Sequence, residues 1–331
     1  MNRSLSRAFW TQIMPLPIPT ADFTSKTIII TGANVGIGLE AARYFVRLSA
    51  EKVILGCRDL DKANEAKRDI ESTEGKIGVI EVWHVDLSSF DSVKGFCLRA
   101  STLDRLDIVI ENAGLLATRY EAFEGYERQI TVNVISTYLM AMLLLPTMRR
   151  TMSMYQDRNM DDVPHLVIVG SNGHFYAHFK QRSAPSIFDA LKDDSDMYER
   201  YRTSKVLSVL FARELANRMS SSGKPSTILN VVDPGFCQSN LLRDKALGPI
   251  MSPIMAFLMV VFARTAEKGA RTYIMAACAG IESHGKYLED CELSTPSSFV
   301  ESDEGSKVQV RVFDELVGIL EGISPGISGN I

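Results

Sequence analysis

Six short and nearly continuous apolar runs alternate with segments of helical periodicity. The runs lie at Thr27–Thr31, Val53–Gly56, Gly78–Trp83, Asp107–Ile110, Leu166–Val169 and Ile228–Val232. A strand that is apolar at nearly every position has both faces covered, as in parallel sheets flanked by helices. The helix-like segments are Gly38–Ser49, Asp61–Ser72, Ser89–Ala100, Gly125–Arg149 and Glu199–Met219. Repeated βα units predict an α/β fold, a doubly wound parallel sheet with helices on both faces. Of the 331 residues, 46% are hydrophobic, enough for a full core. The turn-rich stretches Thr151–Pro164, Gln181–Asp196 and Ser220–Pro225 fall between elements and resemble no linker. One domain is therefore expected over residues 25–300, after an N-terminal tail (1–24) and before a C-terminal helix and tail (301–331).

Charge and cysteine usage exclude several classes. Net charge is −4 with no Lys/Arg cluster, which gives nucleic-acid binding no electrostatic support. Five scattered cysteines lack metal-ligand spacing, so neither a metal site nor a disulfide framework is expected, and a reducing, cytoplasmic location fits. The first twenty residues lack the long apolar region of a signal peptide. The apolar stretch Pro249–Ala263 is interrupted by Ser252 and Pro253 and falls short of the about 20 residues of a membrane span.

The first strand runs into Thr31-Gly32-Ala33-Asn34-Val35-Gly36-Ile37-Gly38, and a helix follows. Glycines there permit a tight turn and let backbone N–H groups at the helix N-terminus approach a pyrophosphate. Further motifs follow in order: Asn112-Ala113-Gly114 after the fourth strand, Asn133-Val134-Ile135-Ser136, Ser171 after the fifth strand, Tyr201-Arg202-Thr203-Ser204-Lys205, and Asp233-Pro234-Gly235 after the sixth. This ordered set resembles the short-chain dehydrogenase/reductase family over roughly residues 25–300. The resemblance implies a Rossmann-type fold and a nicotinamide cofactor held by Gly32, Asn34, Val35, Gly36, Ile37, Gly38, Asn112, Ala113, Gly114, Tyr201, Lys205, Pro234 and Gly235. It also places Asp86, followed by Leu87, beside the adenine ring.

Cofactor choice is read at the end of the second strand. An acid there hydrogen-bonds the ribose of NAD, whereas arginine accommodates the 2′-phosphate of NADP. The chain has Cys57 where the acid would stand and Arg58 beyond it, with Asp59 adjacent. Arginine pairs bidentately with phosphate, so NADP(H) is expected.

Carbonyl reduction needs a hydride donor, a proton donor and groups that hold the carbonyl in line. Tyr201 and Lys205 are four apart on an expected helix, hence neighbours on one face. A nearby ammonium would lower the pKa of the phenol. The resemblance makes Tyr201 the acid/base, Lys205 its tuner and ribose ligand, Ser171 a hydrogen-bond partner of the substrate oxygen, and Asn133 the holder of a relay water. Tyr198 is a decoy, because its fourth neighbour is Arg202. His174 and His178 could suggest a hydrolase with Ser171, but no G-x-S-x-G elbow surrounds it. Three departures stand out: Gly170 in place of a first serine, Glu111 before Asn112, and Asp233 before Pro234-Gly235.

Twenty-nine residues separate Ser171 from Tyr201. With Gly32-Ala33-Asn34 and Cys57-Arg58-Asp59, this resembles the retinol-dehydrogenase and WW-domain-oxidoreductase-like branch and fungal members that tailor secondary metabolites. Residues 238–263, with Met251, Met255, Phe257, Leu258, Met259 and Phe262, are expected to cover a lipophilic carbonyl or alcohol substrate. The same segment offers contact with a membrane surface. Gly125–Arg149 and Glu199–Met219 resemble helices through which family members form homodimers. The rival reading is an NADP-binding scaffold with little turnover; it would be favoured by loss of one of Asn133, Ser171, Tyr201 or Lys205, and all four are present.

Overall fold

Isoleucines alternate between two cores along the first strand, β1 (Thr27–Thr31): Ile29 packs on one side of the sheet, Ile28 and Ile30 on the other. The computed structural model describes residues 12, 14–155, 163–238 and 262–331. After β1 come α1 (Gly36–Arg47), β2 (Lys52–Cys57), α2 (Leu60–Glu74), β3 (Ile80–His84), α3 (Phe90–Ala100) and β4 (Ile108–Glu111). The second half adds α4 (Thr137–Tyr155), β5 (His165–Val169), α5 (Met197–Ser221), β6 (Ile228–Asp233), α6 (Ala266–Ala276), β7 (Tyr287–Glu289), β8 (Glu292–Ser294) and α7 (Asp303–Ile323).

The sheet has eight strands in the order β8-β7-β6-β5-β4-β1-β2-β3, parallel except for β8. Helices α1, α2 and α6 pack on one face, and α3, α4, α5 and α7 on the other. The chain builds outward from β1 to β3 and then adds β4 on the other side of β1. At such a reversal the crevice beyond the carboxyl ends of the strands receives ligands.

The region expected as a single helix from Gly125 starts differently. Tyr126–Glu127 pairs with Ala122–Phe123 in a short hairpin, and a π-helical stretch, Thr131–Ser136, precedes α4. The Thr131 hydroxyl donates toward the Phe123 carbonyl at 2.9 Å and the Glu127 carbonyl at 3.2 Å, which ties the helix start to the hairpin. Arg128–Tyr155 is long and apolar enough to cross a membrane, yet 89% of its most apolar window is buried inside the protein. Packing accounts for it.

The helices that resemble dimer contacts are covered by the chain itself. Sixteen residues of α5 are buried, and α7 lies along it, with Phe211 and Phe313 stacked at 5.2 Å. Gln309 on α7 donates to Glu214 at 2.9 Å. The tail beyond α7 reaches α4, where Arg149 donates to the Asn330 carbonyl. Helix α6 and strands β7 and β8 were not anticipated; three-residue strands are too short to show a period. Most of the expected 238–263 cover, including Met251, Met255, Phe257, Leu258 and Met259, lies outside the described residues. Its ends are paired: Gln238 N–H donates to Arg264 at 2.9 Å and Arg264 N–H to Phe236 at 2.8 Å.

Candidate active site

The start of α1, just after the turn that follows β1, presents uncapped backbone donors to the crevice. Helix α1 starts after Val35, which supplies no side-chain cap, and its first turn carries no acid. Free N–H groups and the helix dipole there attract an anion. Gly36 has φ +61°, the left-handed region that favours glycine. Gly38 is demanded by packing, since a Cβ would lie 2.6 Å from Asn112 Nδ2. Asn112 in turn donates to the carbonyls of Thr31 at 2.8 Å and Gly32 at 3.2 Å, and its Oδ1 accepts from Tyr273 at 3.0 Å. The Asn112-Ala113-Gly114 motif thus braces the glycine loop.

A cavity of about 590 Å³ lies between this loop and the ends of β5 and β6. Of the expected site residues, Gly32, Asn34, Val35, Gly36, Ile37 and Gly38 line one wall, and Asn112, Ala113 and Gly114 its base. Ser171, Tyr201 and Lys205 with Pro234 and Gly235 line the other side. This cradle, with its uncapped helix end and glycine packing, fits the pyrophosphate of a dinucleotide.

Ser171 starts a tight turn, Asn172–Tyr176, and its Oγ accepts from Gly173 N–H at 3.1 Å. Its side chain also shares a hydrogen bond with that of Tyr201. Lys205 lies 5.7 Å from the centre of the Tyr201 ring and donates to the Val169 carbonyl at 2.8 Å. Burial pushes Tyr201 up to about 12, with the Ser171 bond opposing and Asp233 reinforcing the shift. Burial also pushes Lys205 down to about 8, opposed by Asp233. Loss of hydration dominates the phenol here, and the Lys205 ammonium is engaged with the Val169 carbonyl.

Asn133 lies in the π-helical stretch, a feature frequent at functional sites. Its side chain is already committed: Oδ1 accepts from Leu115 N–H at 2.9 Å, and Nδ2 donates to Leu115 O at 2.9 Å and Ser204 Oγ at 3.1 Å. Ser204 donates to the Tyr201 carbonyl at 2.7 Å. The amide thus clamps the loop after Gly114 to α5. A Cβ on Gly114 would lie 3.2 Å from Asn133 Oδ1 and 4.0 Å from Lys205 Nζ, so these groups converge.

Arg58, Asp86 and Leu87 stand outside the cavity lining. Arg58 is exposed just beyond β2. Asp59 caps α2 by accepting from Lys62 N–H at 3.1 Å and pairs with the Lys62 ammonium at 2.6 Å. Asp86 follows β3 and accepts from Ser88 N–H at 2.9 Å, and the buried Leu87 gives its carbonyl to Ser136 at 2.7 Å. Cys57 is tucked under the glycine loop, where its sulfur accepts from Ala33 and Asn34 N–H and burial pushes its thiol up to about 11.

Three residues support the site in a role the sequence reading did not assign to them. His174 is buried; its Nε2 accepts from Ser297 N–H at 3.1 Å, so its Nδ1 donates to the Ser171 carbonyl at 2.7 Å. Asp233 accepts from Gly235 N–H and from Tyr287, both at 2.9 Å, which holds the Pro234-Gly235 turn. Gln12, far away in sequence, pairs with both backbone groups of Phe236 on the cavity wall, accepting from its N–H at 3.1 Å and donating to its carbonyl at 2.5 Å. The first two were visible as motif neighbours; Gln12 carried no signal.

Comparison with known proteins agrees with this geometry. A family model described as short chain dehydrogenase matches residues 26–154. The short chain dehydrogenase/reductase dmxR8 from Cryptosporiopsis sp. is 43% identical over 95% of this chain and 96% of its own. The chain belongs to the short-chain dehydrogenase/reductase family. The short chain dehydrogenase atnD from Emericella nidulans is 45% identical to this oxidoreductase over 86% of the chain and 90% of its own. Among solved structures, an uncharacterized protein from Mycobacterium paratuberculosis superposes with TM-score 0.67 at 23% identity, covering 91% of this chain and 96% of that one. The Pseudomonas aeruginosa RhlG/NADP active-site complex gives TM-score 0.57 at 22% identity, covering 82% and 97%. These two likenesses concern the fold. Short-chain dehydrogenases/reductases bind NAD(P) and act on small molecules.

Proposed function

We propose that this short-chain dehydrogenase/reductase is NADP(H)-dependent and interconverts a carbonyl and an alcohol on a lipophilic small molecule, such as an intermediate of fungal secondary metabolism. The observation that carries the reading is the meeting of Ser171, Tyr201 and Lys205 in one cavity opposite the glycine loop. The nicotinamide, when bound, supplies or accepts the hydride. Tyr201, protonated at neutral pH, donates a proton to the carbonyl oxygen, and Ser171 holds that oxygen in line. Lys205 keeps positive charge beside the phenol. Asn133 positions Leu115 and Ser204 around the pair.

Arg58 supports the choice of NADP: it is exposed at the end of β2, and Asp59 is occupied by Lys62. Leu115, Leu116, Tyr176 and Phe236 support a lipophilic substrate, since each adds apolar surface to the cavity. All five cysteines are free, which suits the cytoplasm. The test is NADPH oxidation screened against lipophilic ketones, aldehydes and quinones, with Tyr201→Phe as control. Turnover in the unmodified chain that the variant loses supports the reading. Equal turnover in both would overturn it.

A further inference from the structure

A second cavity, of about 90 Å³, opens between the ends of α4 and α5. Thr227 on its wall precedes β6, whereas Asp233 at the active site ends that strand. The two cavities are therefore separated by a strand's length, about 20 Å at about 3.3 Å per residue.

The polar groups around this cavity are short of partners. Arg149 on α4 is 7% exposed, and its Nε has no hydrogen-bond acceptor. One of its other nitrogens donates to the Asn330 carbonyl, and among the described residues no acid offsets the cost of burying its charge. Thr227, 3% exposed, has a hydroxyl with no partner. Lys224 adds a second positive charge to the rim while donating to the Gly329 carbonyl. His284 also lines the cavity, but both its ring nitrogens are engaged, with Leu229 N–H at 3.1 Å and the Ala216 carbonyl at 3.0 Å. Burial lowers the pKa of that ring, which favours its neutral form.

Burying an unpaired guanidinium is costly, and a buried hydroxyl without a partner adds to the cost. An anion with several acceptor oxygens offers a counter-charge to Arg149 and Lys224 on the cavity lining, and guanidinium groups match tetrahedral oxyanions well. The volume corresponds to about three waters at about 30 Å³ each, which suits a small ion. We propose that this cavity binds a small tetrahedral oxyanion, inorganic phosphate or sulfate, through Arg149, Lys224 and Thr227.

The test is titration of the full chain with sodium phosphate, and separately with sodium sulfate, at ionic strength held constant with sodium chloride. Melting temperature and isothermal calorimetry are the readouts. The expected result is a saturable rise in Tm and a measurable heat, since a ligand of the native state stabilises by mass action. Lys224→Met and Thr227→Val should each weaken the apparent affinity about tenfold, as loss of a hydrogen bond to a charged group does. Both should keep the Tm found without the oxyanion and the Kd for NADPH. A response no larger than that of chloride overturns the proposal. So does an undiminished response in both variants, which would assign the ion to another place such as the glycine loop.

Discussion

Lys205 donates to the Val169 carbonyl at 2.8 Å while its ammonium stands 5.7 Å from the centre of the Tyr201 ring, so one cation braces β5 and faces the phenol. Its burial has a consequence for the pH profile. Lys205 is pushed down to about 8 and Tyr201 up to about 12. The phenol therefore stays protonated across the working range, and the ammonium is the group that titrates first. Reduction should be level near neutrality and fall as pH rises through about 8, when the positive charge is lost. A profile of reductive kcat/KM between pH 6 and 10 checks this; a constant rate to pH 10 refutes it.

Tyr201→Phe should lower kcat by about 10²- to 10⁴-fold, the range for a lost general acid. NADPH affinity should be nearly unchanged. Tyr198 is 88% exposed, and Tyr198→Phe should leave both quantities intact. Stopped-flow turnover and fluorescence titration of NADPH separate the two effects.

Arg58→Ala should cost NADPH about ten- to a hundredfold in kcat/KM, the worth of a charge-assisted phosphate contact. NADH kinetics should barely change. Equal use of both cofactors by the unmodified enzyme would remove Arg58 from the site and leave the roles of Tyr201 and Ser171 standing.

Glu111, the departure before Asn112, is 2% exposed, and burial pushes its carboxyl up to about 8. Its Oε2 accepts from the Thr31 hydroxyl at 3.3 Å, and Oε1 has no partner. With the folded pKa above the unfolded value, the folded state holds the proton that the unfolded state releases. Its stabilising contribution is complete below about pH 4.3 and is lost as pH rises through about 8. Glu111→Gln removes this dependence, so the variant should gain Tm relative to the parent between pH 5 and pH 8. Parallel Tm curves for the two proteins would contradict the assignment.

Phe313 joins α7 to α5 through its stack with Phe211. Phe313→Ala should destabilise the fold by about 3–5 kcal/mol, the usual cost of truncating a buried aromatic. Because α7 covers α5, the parent chain should run as a monomer. Chemical denaturation measures the first; light scattering on the eluting protein measures the second.

The local patterns were enough for the existence and parallel arrangement of the first six strands and for the order of the site motifs. A strand buried on both faces must be apolar at nearly every position, and a glycine that abuts Asn112 admits no side chain. Both constraints write themselves into neighbouring residues. Tyr201 and Lys205 were legible as chemistry at short spacing, and Ser171 through the ordered motifs that resemble the family. What only the tertiary structure decided depends on residues distant in the chain. That the Asn133 amide joins Leu115 to Ser204 shows only in the folded chain. The desolvation of Tyr201 and Lys205 depends on everything packed around them. Gln12 on Phe236 and α7 on α5 arise from pairings across more than ninety residues, where no periodicity survives. Spacing along the chain specifies which groups can meet; desolvation and long-range packing set their charge and what else they must hold.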